Sequence, residues 1–260
     1  EQMHTIQHRY YIPNNSLLII AGDVKPEEAF AEAEKYLETW NAGPDPFKEY
    51  PVPTIQPIAK SQLVVRTSAI PPQLAFVQQQ WHGPSVGTDD KATFAADVFS
   101  YILNQSTSRF YKKMVESGLT MGIEVDYEQQ RYVGPIAASM QLPTENLAAA
   151  IDTLHSEINH WDDNDYFTDD ELATAKHILK VQHLYEAENT SNYAHDVSFF
   201  WASCGFPYMD HYLDEIEHIT RQDIKNYVDT YIKSKNYVLG VGMSEDNVKK
   251  ITLNPSEVLQ

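Results

Sequence analysis

Apolar positions along this chain follow two rhythms, alternation in short runs and a stripe recurring every three or four residues in longer ones. Gln62–Thr67 and Leu74–Trp81, separated by Pro71-Pro72, predict strands, and Leu74, Phe76 and the alternating positions after them are expected to bury one sheet face. Thr120–Tyr127 and Tyr132–Leu142 predict a hairpin, and Tyr237–Val241 a final strand. Helical spacing appears in Asp89–Leu103 through Ala92, Ala95, Ala96, Phe99 and Leu103, and in Asn146–Trp161 through Leu147, Ala150, Ile151, Leu154 and Ile158. A shorter helix is predicted over Ser108–Ser117, stopped by Gly118. Thr168-Asp-Asp-Glu171 forms a capping box for a helix to about Glu188, and further helices fall near 191–204 and 220–232. Strands, helices, strands, helices and a closing strand predict an α+β layer: an antiparallel or mixed sheet with helices between 146 and 232 packed on one face.

The N-terminal part repeats the C-terminal part. YIPNNSLLIIAG begins at Tyr11 and YIKSKNYVLGVG at Tyr231, a constant offset of 220 residues without a gap. Each reads as a turn, a short apolar strand and a Gly stop with a helix after it; in the first copy these are Leu17–Ala21 and a helix from Pro26 to Leu37. So long a period implies duplicated domains rather than a solenoid, and the chain is expected to be a piece of a larger protein in which only the second copy is whole. Pro44, Pro46, Pro51, Pro53 and Pro57 predict a linker without helix or central strand.

Charge removes one class of partner. With 19 basic and 37 acidic residues the net charge is −18, which repels phosphate backbones, so nucleic acid is not expected. No apolar run is long enough for a transmembrane segment. The single cysteine, Cys204, excludes an internal disulfide or a multi-thiolate zinc site and, lying among aromatics in FFWASCGF, is expected to be a buried inert thiol.

Little in the chain has the spacing of a catalytic site. His155 and His160 lie five apart and diverge on a helix, and His177 and His183 fare no better. His211, Glu215 and His218 share a helix face but read as a solvated one rather than a zinc site. Asp162-Asp163-Asn164-Asp165 lacks the alternating ligands and turn Gly of a calcium loop and reads as a solvated turn.

Three words carry a family resemblance. YYIPNNSLLIIAGDVKPEEAFAEAEKYLETW, ILNQSTSRFYKKMVESGLTMGIEV and FTDDELATAKHILK, in that order, resemble segments of the pitrilysin/insulinase family of zinc metallopeptidases, which includes mitochondrial processing peptidases and respiratory-complex core subunits. The resemblance implies that residues 1–42 are the last strand and helix of a preceding domain, 43–58 a connector and 59–260 a complete non-catalytic domain. It implies a role in walling the peptide chamber and supporting binding of substrate or a partner half; the alternative is a zinc-free core-type structural or binding subunit. The implied partners are the preceding catalytic domain, an opposing half or subunit and peptide substrate. The family's zinc motif H-x-x-E-H is absent, so this chain alone is expected to be inactive, with no cofactor of its own and zinc bound upstream in the parent protein. Active members can hold substrate with an Arg and a Tyr in the second word, but those positions are Val115 and Met121 here. Arg109 matches the Arg of the family's "S-R"; it is the one candidate substrate-binding residue, with a structural hydrogen-bonding role as its competing reading.

Overall fold

The computed structural model describes residues 1–259. It opens with α1 (Gln2–Tyr10), α2 (Pro26–Leu37) and α3 (Pro46–Glu49). Then come β1 (Gln62–Thr67), β2 (Leu74–His82), α4 (Asp90–Leu103), α5 (Arg109–Tyr111), β3 (Gly122–Tyr127) and β4 (Pro135–Pro143). The remainder is α6 (Leu147–Ile158), α7 (Asp169–Glu188), α8 (Thr190–Ser203), α9 (Phe206–His218), α10 (Arg221–Tyr231), β5 (Val238–Met243), α11 (Glu245–Lys250) and α12 (Pro255–Val258). Two compact units share the chain: residues 1–55 with 183–209, and residues 56–182 with 210 onward.

The first unit is helical. Leu17–Ala21, expected as a strand, has no ladder partner among the described residues, and Leu18 and Ile20 are exposed. An apolar run becomes a strand only when its amides and carbonyls find a second strand. The repeat is nonetheless visible in the backbone: α1, turn, 17–21 and α2 correspond at the same offset to α10, turn, β5 and α11. The Pro-rich linker, expected to hold no helix, contains the single turn α3. Pro46 occupies a first-turn position where its missing amide costs nothing, and the Asp45 carboxylate accepts from the Phe47 amide at 3.0 Å. Asn14 fastens this linker through paired bonds with the Gly43 carbonyl (3.1 Å) and amide (3.0 Å).

The second unit is built on one five-stranded sheet in the order β1-β5-β2-β4-β3, with β1 and β5 parallel and every other pair antiparallel. The expected fold class is what the structure shows: α+β, with a mixed sheet and helices on one face. Met243, Ala75 and Leu142 form one cross-strand row of the helix-covered face, Val241, Val77 and Met140 the next, and Leu239, Gln79 and Ala138 the third. All nine are buried. Above them lie Phe94, Val98 and Phe99 of α4, Ile151 and Leu154 of α6, and Ile224 and Val228 of α10. Trp161 closes the core, meeting Phe99 and Phe110 edge-on with ring centroids 5.5 Å apart in each case. The 108–117 helix is shorter than predicted in its α form: after α5 the backbone widens into a π-turn over Lys112–Glu116, and Gly118 takes the left-handed conformation (φ 80°) that ends it.

The buried phase of β2 is the reverse of the sequence expectation. Leu74 and Phe76 are the larger apolar residues, yet Ala75, Val77, Gln79 and Trp81 face the helices. Their partners on β4 and β5 are the apolar ones, and register moves a whole alternating set together, so the neighbours decide. Gln79, buried by this choice, is satisfied by the ring Nε2 of His155 at 2.9 Å. Burial pushes the His155 pKa down, which keeps the ring neutral beside it.

Candidate functional site

The reversal leaves a sheet face without helices. Across it one row runs Arg66, Gly242, Phe76, Gln141, Gly122, and the next runs Val64, Gly240, Gln78, Ser139, Glu124. Three of these ten positions are glycine, so the backbone forms the floor of a trough of about 690 Å³. Phe76, 41% exposed, stands in it, while its neighbour Val77 on the other face is 1% exposed. The Gln78 side-chain amide donates to the Ser139 hydroxyl at 2.9 Å, whereas the Gln141 carboxamide has no hydrogen-bond partner among the described residues.

The two sides of the face carry opposite charge. Arg66 lies on the β1 edge, and among the described residues its guanidinium donates only to the adjacent Val65 carbonyl at 3.3 Å. On the β3 edge, Glu124 and Asp126 face the same way, and neither has an ion pair among the described residues. Burial first, then the charges of Glu124 and Glu128, push the Asp126 carboxyl pKa up. The β3 edge itself is blocked midway: the Asn104 side-chain amide donates to the Val125 carbonyl (2.8 Å) and its oxygen accepts from the Val125 amide (2.9 Å). Asn104 thus occupies the bonds an added strand would need at Val125.

Arg109 lies at the start of α5, not on this face. Its Nε contacts Glu157 Oε2 at 3.2 Å, and its guanidinium sits 5.0 Å from the Tyr166 ring centre. Glu157 is 3% exposed and also accepts from the Tyr166 hydroxyl at 2.8 Å. A buried carboxylate needs such a counter-charge, so Arg109 neutralises the core end of α6. Sequence reasoning missed Glu157, which occupies a polar position within an apolar stripe.

The remaining candidates are occupied locally. His218 Nδ1 bonds the Asp214 carbonyl at 2.6 Å, and among the described residues no three His, Cys, Asp or Glu side chains are placed to hold a metal. Asp162 pairs with Lys233, Asp163 with His160, and Asn164 accepts from Lys225 at 3.0 Å. The acidic run is therefore a turn pinned by these partners, with Asn164 and Asp165 exposed to solvent as expected. Cys204 at the end of α8 is half-buried rather than buried, because Phe199 and Trp201 beside it remain exposed. The Thr168–Glu171 capping box is present, with the Glu171 amide donating to the Thr168 hydroxyl at 3.1 Å and Glu171 accepting from the Thr168 amide at 2.7 Å.

One polar cluster had no signal in the sequence. Asp97 on α4 accepts from Gln129 Nε2 at 2.6 Å and from the Tyr212 hydroxyl at 2.8 Å, joining α4, the β3–β4 connection and α9. Burial raises its pKa to about 7, against the pull of those two donors.

The second unit is thus a helix-backed sheet with one open, glycine-floored face and no metal-holding group among the described residues. The chain belongs to the family described as the peptidase M16 inactive domain, which matches residues 1–179. Among solved structures, a protease from Helicobacter pylori matches with TM-score 0.78 and 16% identity over 92% of this chain and 58% of that one. A peptidase M16 inactive domain from Pseudomonas fluorescens matches with TM-score 0.65 and 16% identity over 86% and 52%. A chain of complex III2 from Candida albicans matches with TM-score 0.59 and 16% identity over 76% and 49%. The chain therefore spans about half the length of these structures, and the likeness is one of fold. The search of curated proteins found no match. No described helix is long and apolar enough to cross a membrane.

Proposed function

We propose that this chain is the non-catalytic domain of a zinc protease in which residues 1–42 close a preceding catalytic domain, 43–58 connect, and 59–260 wall the chamber where peptides are cut. Zinc and the hydrolytic residues belong to the preceding domain in this reading, and substrate and an opposing half or subunit are the partners. The observation that carries it is the open sheet face: a glycine floor, an exposed Phe76 and the Gln141 carboxamide, a surface suited to extended peptide rather than to chemistry. Arg109 takes the structural role here, since its guanidinium is already engaged by Glu157. An unstructured peptide carrying a photoreactive residue tests the reading. Crosslinks on Phe76, Gln78, Ser139 or Gln141 are expected, and crosslinks confined to the helix-covered side would overturn it.

The likeness to a complex III2 chain favours a second reading, a zinc-free core-type structural or binding subunit. Metal analysis of the intact parent polypeptide separates the two. One zinc per chain supports the protease, and a zinc-free parent held in an assembly of fixed stoichiometry supports the subunit.

A further inference from the structure

The charge on the open face is divided between its two sides, and that division selects a direction for whatever lies across it. From the geometry we infer that the face binds an extended peptide running across the strands, with a basic residue against Glu124 and Asp126 and an acidic residue against Arg66. This deepens the chamber-wall reading and rests on it.

Four inter-strand steps of about 4.8 Å separate β1 from β3, so the charged sides stand about 20 Å apart, the reach of roughly six residues of extended chain. Between them lie the glycine floor, where a main chain can approach closely, and Phe76, against which an apolar side chain of the peptide can pack. Gln78, Ser139 and Gln141 supply uncharged donors and acceptors that suit a peptide backbone of any sequence. Selection by the face is thus electrostatic, through charges that form no ion pair among the described residues: Arg66 on one side, Glu124 and Asp126 on the other. The Asp126 carboxylate gains most from a cation, since burial and then the neighbouring charges of Glu124 and Glu128 raise the cost of ionising it. Closure of the β3 edge by Asn104 excludes the competing mode in which a peptide adds as a sixth strand at Val125.

The test uses a seven-residue peptide with Lys at one end, Glu at the other and a central Phe, carrying a nitroxide label at either end, added to the isotope-labelled 260-residue chain. With the label on the basic end, amide signals of Gly122–Tyr127 should be attenuated about threefold more than those of Gln62–Thr67, and moving the label to the acidic end should reverse the ratio. Glu124→Lys should abolish the bias. A side chain at Gly240 would meet only the Gln78 carbonyl at 3.6 Å, and one at Gly122 meets nothing within 4 Å, so Gly240→Leu and Gly122→Leu fill the trough without disturbing the sheet. Attenuation of the face that both leucine variants remove, but with equal effects at β1 and β3, would overturn the polarity and leave the peptide-binding reading standing. Attenuation that survives both leucine variants, or none on the face at all, would overturn both.

Discussion

The two faces of the sheet share a backbone and differ in nearly everything else. On one, Leu239, Val241, Ala138 and Met140 pack against helices, and even the polar Gln79 has its oxygen bonded to His155. On the other, glycines, the Gln141 carboxamide and an exposed Phe76 face the trough. Burial of apolar area is what stabilises a sheet layer, so the covered face carries the fold, and the open face is free to vary. An open face that exposes an aromatic residue to solvent contributes little to stability, which is why we propose it as a binding surface.

The largest expected effect is on the covered face. Leu239→Ala removes a fully buried side chain from the sheet centre and should cost about 2–5 kcal/mol in denaturant unfolding, whereas Phe76→Ala should cost under about 1 kcal/mol. Comparable losses from both would erase the distinction. Next is Arg109→Met, which leaves Glu157 buried without its counter-charge. It should lower stability by about 2 kcal/mol, with Arg109→Met/Glu157→Gln recovering most of that; a double variant no better than the single would show that the pair is not coupled.

The smallest effect depends on pH. The Asp97 carboxyl pKa is raised from 3.8 to about 7 in the fold, so its contribution is fully present below pH 3.8 and is lost as pH rises through 7. Asp97→Asn should therefore match the wild type at pH 4 and exceed it at pH 8, the gap opening as pH rises through 7. Equal stability at both pH values would place the carboxyl in a more solvated site.

Much of this was legible in the residues. Helix stripes such as Leu147–Ile158, the Thr168 capping box and the closing strand followed from periodicity and local bonds, which depend on nearby residues alone. What escaped depends on partners distant in sequence. The phase of LAFVQQQWH is ambiguous by itself, since Phe76 outweighs Ala75, and only the apolar rows of β4 and β5 resolve it. Leu17–Ala21 has the composition of a strand but no ladder partner among the described residues. The site was the least legible part, because a trough made of Gly240, Gly242, Gly122 and two glutamines has no motif, whereas Arg109 stands within a motif and serves the core.

Phe76 and Val77 are adjacent in sequence and on opposite faces, so one pair of variants tests the division of labour most directly. Thermal unfolding and peptide crosslinking are measured for Phe76→Asp and Val77→Asp. The expected result is that Phe76→Asp melts within a few degrees of the wild type but loses crosslinking to the open face, while Val77→Asp fails to fold because it buries an unpaired charge. A Phe76→Asp protein that melts normally and still crosslinks in full would contradict the assignment of the open face as the binding surface.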